Sequence, residues 1–183
     1  MGDRVSRPGS HTGPRGIVGT ARPGSRGRAK IALRPAVLGD SRNVWAWRND
    51  EETRRASFDS SYIDFSDHER WFAASLQDPK RRIYVVTADG DDVGVVRLDL
   101  EITRRHAVVS IFLDPRCQGR GIGPEALRLV GTCAARDLKL RSLRASVKPD
   151  NYPSRSAFRS AGFTESPTGP TVTFVKSLHV GHG

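Results

Sequence analysis

The residues Gln118-Gly119-Arg120-Gly121-Ile122-Gly123 follow an apolar stretch, Ala107 to Leu113, and lead straight into a helix-patterned segment running from Pro124 to Asp137. Glycines at this spacing let the backbone fold tightly and aim consecutive N–H groups at one point, and a helix behind them adds the positive end of its dipole. Such a loop is a cradle for phosphate oxygens. It is not a P-loop, because no Lys-Ser/Thr pair follows the glycines, and its spacing is not that of a dinucleotide fingerprint. Candidate proton-handling groups lie elsewhere in the chain. Strand alternation over Val93 to Leu100 puts Arg97, Asp99 and Glu101 on one side, so Asp99 or Glu101 either faces a cleft as a base or belongs to a solvated polar face. His68 precedes Trp71 and Phe72 by three and four residues, on one helical stripe, where it is either catalytic or simply packed.

The elements that must position these groups are legible in outline. Ile31 to Ala36 reads as a first strand, and Asp40 is placed to cap a short helix through Asn49 containing Val44, Trp45 and Trp47. Ser66-Asp67-His68-Glu69 has capping-box spacing and predicts a second helix from Ser66, with Trp71, Phe72 and Leu76 on a common face. Runs at Ile83 to Ala88 and Val93 to Leu100, joined by Asp89-Gly90-Asp91-Asp92, predict an antiparallel hairpin that the strand 107 to 113 extends. Beyond the glycine loop, Ile122, Ala126, Leu129, Val130, Cys133 and Ala134 recur at helical spacing. A strand near Leu143 to Val147, a helix from Asn151 ending at Gly162, and strands near Phe163 and Thr171 to Val175 complete the order. The predicted fold class is α+β, a mixed, mostly antiparallel central sheet with helices on both faces.

A chain of 183 residues fits one domain with a sizeable core. No apolar run approaches the roughly 20 residues of a membrane span, and no secretion signal is visible, so the expected location is cytoplasmic, with no membrane partner. Cys117 and Cys133 form neither a metal pattern nor a disulfide framework; Cys133 reads as a small core residue, and no metal is expected. The net charge of +10 is uneven: residues 1–30 hold seven cationic side chains against Asp3, a net of +6. Residues 1–29, rich in Arg, Gly and Pro, read as a disordered leader, either a solvated tail or an arm making weak contact with nucleic acid. The expected domain spans 30–178, with 179–183 as a tail.

Gln-x-x-Gly-x-Gly after a strand resembles the signature loop of the GNAT superfamily, the acetyl-coenzyme A dependent N-acetyltransferases. Asn151-x-x-Ser154-x-x-x-Phe158-x-x-x-Gly162-Phe163 is similar to that superfamily's last helix and following strand, and Ile31 to Ala36 to its first strand. The resemblance implies acetyl-coenzyme A as acyl donor, its pantetheine arm along Ile111, Phe112 and Leu113 and its pyrophosphate on Gln118, Gly119, Arg120, Gly121, Ile122 and Gly123. A Cβ at Gly121 or Gly123 would block that approach. Asn151, Ser154 and Phe158 are expected to face the same cofactor. Transfer by direct attack needs a neutral amine and a proton for the departing thiolate. Many members carry a Tyr where this chain has Phe158, which leaves the proton to Ser154, Tyr152 or solvent.

Trp47-Arg48-Asn49-Asp50-x-x-x-Arg54 with His68-x-x-Trp71-Phe72 is similar to acetyltransferases of pseudaminic-acid-type nonulosonate synthesis, which acetylate a nucleotide-linked amino sugar, and less closely to those acting on ribosomal-protein N-termini. That resemblance implies Arg48 and Arg54 on a diphosphate, Asn49 on sugar hydroxyls, and Trp47 or Trp71 on a ring, with both tryptophans packed in the core as the alternative. The expected acceptor is therefore a small-molecule amine, foremost on a UDP-amino sugar. A protein N-terminus or another small amine comes next, and a non-catalytic module binding coenzyme A or nucleic acid after that. A homodimer is a further expected partner.

Overall fold

The computed structural model describes residues 29–101, 105–168 and 170–179. The expected leader, apart from Ala29, and most of the expected tail lie outside the described residues. In chain order the elements are β1 (Ile31–Pro35), α1 (Ser41–Asn49), α2 (Glu51–Ala56), α3 (Phe65–Gln77), β2 (Arg81–Ala88), β3 (Asp91–Glu101), β4 (His106–Leu113), α4 (Ile122–Arg136), β5 (Ser142–Val147), α5 (Tyr152–Ser160), β6 (Thr164–Thr168) and β7 (Thr171–Ser177). The seven described strands form one sheet in the order β1-β2-β3-β4-β5-β7-β6, antiparallel everywhere except between β4 and β5.

Both faces of the sheet are covered, which is why β2 and β3 read as nearly continuous apolar runs. Val86, Val96 and Leu98 join Ile122, Ala126, Leu127 and Val130 of α4 and Phe158 of α5 in one core cluster. Neighbouring residues of the same strands, Ile83, Val85 and Val95, point the other way and pack with Val44 and Trp47 of α1 and Phe72 of α3. The β2–β3 turn uses Asp89 and Gly90 at φ 53° and 98°, the left-handed pair that matches the twist of a two-residue hairpin. The expected α+β architecture is present.

Three local expectations change. Asp40 precedes α1 but does not cap it: its carboxylate accepts from Arg34 Nη1 and Nη2 at 2.8 and 2.7 Å and from Val37 N at 2.8 Å, bracing β1 against the turn that follows. The second predicted helix begins at Phe65, with Asp64 in the cap position, so Ser66 already lies within the helix. Phe65 draws the start one residue earlier by packing edge-on to Trp45 at 5.5 Å. The short helix α2 went unread; Asp50 caps it by accepting from Glu52 N and Thr53 N.

Candidate functional site

The site begins where the sheet opens. β4 and β5 pair only at His106–Ser142, Ala107–Leu143 and Val108–Arg144, while β3 stays paired to β4 as far as Leu113. The second half of β4 therefore leaves one edge of its backbone unpaired by β5, and a cleft of about 990 Å³ occupies the gap. Val109 to Leu113 of β4 form one wall, Ser146 and Val147 of β5 with Asn151, Ser154, Ala157 and Phe158 another, and the glycine loop the far end. The opposite end is closed by Val44 and Arg48 of α1, Thr53 and Ala56 of α2, Phe58 and Ile63 of the 57–63 loop, and Asp67, His68 and Trp71 of α3.

The glycine loop is preformed. Asp114 is buried and accepts from Arg116 N at 2.9 Å, which folds the Pro115–Cys117 turn leading into the loop. The Arg116 guanidinium, foremost, and the Trp47 indole hold this carboxyl below its ordinary range, so α1 and the loop are fastened through one buried carboxylate. Gly119 and Gly121 stand at φ +72° and +77°, where side chains strain the backbone. Gly121 occupies the cap of α4, where no side chain satisfies the first-turn N–H groups. Those donors lie beside Gly119, Gly121, Ile122 and Gly123, all of which border the cleft. An anion with phosphate oxygens fits this end. Within the protein itself a Cβ at Gly123 would meet only Ala157 and Leu113, at ordinary distances of 3.7 and 3.8 Å. Arg120 is exposed and stands outside the cleft lining.

On the α5 wall, Phe158 is buried between Phe163 and Phe174, with ring centroids 5.0 and 5.3 Å away, and presents no proton. Ser154 lines the cleft, its N–H bonded to Asn151 Oδ1 at 3.1 Å. Tyr152 does not reach the cleft: it is 69% exposed and lies against Arg155. The turn that starts α5 points it outward.

Of the two places open to Asp99, a cleft base or a member of a paired polar face, the structure gives the second. Alternation does put Arg97 and Asp99 on the α1/α3 face, but Asp99 accepts from Arg81 Nε at 2.8 Å and Arg97 Nε at 2.9 Å, and only Arg97 lines the cleft. Arg81 and Arg97 in turn lie 5.7 Å from the Trp71 ring. Glu101 pairs with His106.

Two expected substrate ligands serve the fold instead. The 57–63 loop has no regular structure, so its main-chain groups need side-chain partners. Asn49 accepts from Ile63 N and donates to Ile63 O, which also takes the Trp45 indole at 2.7 Å. Arg54 donates to Asn49 O and Ser60 O, both at 3.1 Å. Trp47 is core, whereas Trp71 is 39% exposed on the cleft wall.

Arg48 and His68 remain. Arg48 Nη2 donates to Asp59 O at 2.9 Å, while Nη1 is buried without a partner. Burial lowers its pKa, opposed by Asp59 and reinforced by Arg54. His68 is 2% exposed, stacks on Phe72 at 5.6 Å, and its Nε2 is likewise buried and unpartnered. Burial pushes its imidazole below the ordinary value; Ser41's backbone opposes that shift and the Arg48 charge adds to it. No single-residue motif announced these orphan atoms; only the packing of α1 on α3 reveals them. Among the described residues no cluster of metal ligands occurs and no helix is long and apolar enough to cross a membrane.

Known proteins are similar in sequence and fold. Residues 30–164 match the acetyltransferase (GNAT) domain family. Spermidine N(1)-acetyltransferase of Escherichia coli is 27% identical over 135 residues, 73% of this chain and 73% of that protein. Acetyltransferase PseH of Campylobacter jejuni is 25% identical over 121 residues, 66% of this chain and 74% of that one. The fold matches spermidine N-acetyltransferase from Vibrio cholerae, solved in complex with CoA and spermine, at a TM-score of 0.73 and 20% identity, covering 80% of this chain and 95% of that one.

Proposed function

Since this chain belongs to the GNAT acetyltransferase domain family, we propose that it moves an acetyl group from acetyl-coenzyme A to the primary amine of a nucleotide-linked amino sugar. Acetyl-coenzyme A supplies an acyl group already activated as a thioester. The residues suited to hold it are the main-chain donors from Gly119 to Gly123, at the uncapped start of α4, and the unpaired edge of Ile111, Phe112 and Leu113. Asn151 fixes the start of α5 and thereby Ser154, the cleft hydroxyl on the α5 wall. Phe158 supplies packing and excludes water from that wall. Ser154 is assigned the proton that the departing sulfur needs. At the acceptor end the polar side chains on the wall include Arg48, Glu52, Asp67, His68 and Arg97.

The observation that carries the acceptor assignment is the buried cation Arg48 with an unpartnered donor at the cleft wall. A polyamine brings no oxygen to accept from that guanidinium, whereas an acceptor rich in hydroxyl and phosphate oxygens supplies what it lacks. The exposed Trp71 face, flanked by Arg81 and Arg97, offers a platform for a flat or ring-shaped group. A sugar amine is also less basic than an alkyl amine, so more of it is neutral at pH 7, which suits a site whose Asp99 is already engaged by two arginines. Acceptor profiling tests the reading: thiol release from acetyl-coenzyme A is expected with UDP-amino sugars and not with spermidine or N-terminal peptides. Turnover of spermidine above that of every UDP-amino sugar would overturn it.

A further inference from the structure

Among the described residues, the buried side-chain polar atoms without a partner are Ser41 Oγ, Arg48 Nη1 and His68 Nε2, and the residues of the last two both belong to the cleft lining, Arg48 from α1 and His68 from α3. A buried donor or acceptor left unpaired costs stability, so native proteins seldom keep one without a use. The two atoms are of opposite kind. With Nε2 unpartnered and the Ser41 backbone the imidazole's other polar neighbour, the proton is assigned to Nδ1 and the lone pair to Nε2. Arg48 Nη1 can only donate. Arg48 is moreover fixed in place, because its Nη2 is committed to the Asp59 carbonyl. His68 is fixed by its stack on Phe72 and its contact with Trp71.

We infer that Arg48 Nη1 and His68 Nε2 form one receptor that reads a primary amine bearing an oxygen on the neighbouring carbon: the imidazole accepts an N–H of the amine, and the guanidinium donates to the vicinal oxygen. This rests on the cleft being the acceptor site of an acetyltransferase but not on a nucleotide being attached. The receptor selects vicinal amino alcohols, the amine class that sugars present, and disfavours amines on plain hydrocarbon chains. An acceptor without the oxygen leaves Nη1 buried and unpaired in the complex, the situation in which hydrogen-bonding sites discriminate most strongly. Arg54, whose Nε and Nη1 donate to Asn49 O and Ser60 O, supports the loop and stands outside the cleft lining.

The test is a matched pair of acceptors without nucleotide, trans-2-aminocyclohexanol and cyclohexylamine, assayed with acetyl-coenzyme A, rates being expressed per neutral amine. The wild-type protein is expected to favour the amino alcohol at least about tenfold in kcat/KM. Arg48→Met should erase that preference by lowering the rate of the amino alcohol alone, and His68→Phe, which keeps the aromatic stack, should lower both acceptors together. Arg54→Met serves as the control for a loosened loop, reducing thermal stability while leaving the preference intact. A nitrogen NMR titration of His68 with the amino alcohol gives a readout independent of turnover, with Nε2 shifting on binding. Equal turnover of the two amines, turnover of neither, or loss of the preference in Arg54→Met as large as in Arg48→Met would overturn the inference. Failure with UDP-amino sugars alone would remove the nucleotide assignment and leave this receptor standing.

Discussion

Substituting Gly121 by Ala separates the cost of folding the loop from the cost of binding through it. Gly121 stands at φ +77° with no protein atom within 4 Å of the added Cβ, so the folding penalty comes from backbone strain alone. That penalty is about 1–2 kcal/mol for a left-handed residue with a side chain, which in a chain of this size lowers Tm by roughly 2–8 °C. Gly162, at φ +85° behind α5, provides the matched control: its Cβ would touch only the Lys176 side chain at 3.9 Å and above, and it does not border the cleft. Both Ala variants should lose comparable stability. Only Gly121→Ala should also lose coenzyme A, because the added Cβ stands where the phosphate must approach the N–H groups of residues 121 and 122. Losing one or two charge-assisted bonds, worth about 1.5–3 kcal/mol each, raises Kd by at least roughly tenfold. Calorimetric titration of coenzyme A into the three proteins, beside thermal melts, gives both quantities. Unchanged affinity in Gly121→Ala alongside the expected fall in Tm would refute the cradle.

The remaining predictions concern packing, pH and proton transfer. Gly94→Ala places a Cβ 2.5 Å from Leu113 Cδ2 and 2.7 Å from Phe112 O, so β3 and β4 must move apart; urea titration should show a loss of at least about 1–3 kcal/mol, and a smaller loss would mean that the strands yield freely. His68 has a folded pKa below its unfolded value of about 6.5, with burial the main cause, so the unfolded state takes up a proton first and stability falls as pH drops below about 6.5. Melts at pH 7.5 and 5.5 should show a larger drop for the wild type than for His68→Phe; equal drops would mean that the imidazole protonates freely in the fold. Asp40 and Asp114, both held below the carboxylate range by arginines, add a further loss only under more acid conditions. Ser154→Ala should lower kcat by about 100-fold or more if its hydroxyl delivers the proton, whereas Tyr152→Phe should leave kcat unchanged; equal, slight effects would assign that proton to solvent.

Much of this molecule was open to local reasoning, and the particular residues show why. The left-handed glycines at 119 and 121, the Asp89-Gly90 turn, the Asn151 cap with Pro153 behind it, and the two-sided apolar runs of β2 and β3 are all consequences of neighbours within a few positions. Periodicity and turn chemistry act over that range, so the element order apart from α2, the α+β class and the glycine-rich turn could be read directly. The capping box at Ser66 misled because Phe65 answers to Trp45, a residue 20 positions away that no local pattern contains.

The assignments that failed or shifted all depended on which partner arrives first. Asn49 and Arg54 carry the right chemistry for a sugar phosphate, yet an irregular loop with bare carbonyls claims them. Asp99 has the right alternation, yet two arginines close on it. Tyr152 has the right hydroxyl, yet the first turn of α5 points it at water. The sequence by itself determined most of the elements, the glycine-rich turn into α4 and the family, because those are written in spacing. Only the tertiary structure decided where β4 leaves β5 to open a cleft, and which two polar atoms, on helices 20 residues apart, are buried at its wall without a partner. Hydrogen-bond satisfaction is a sum over the whole fold, and no window of the chain contains it.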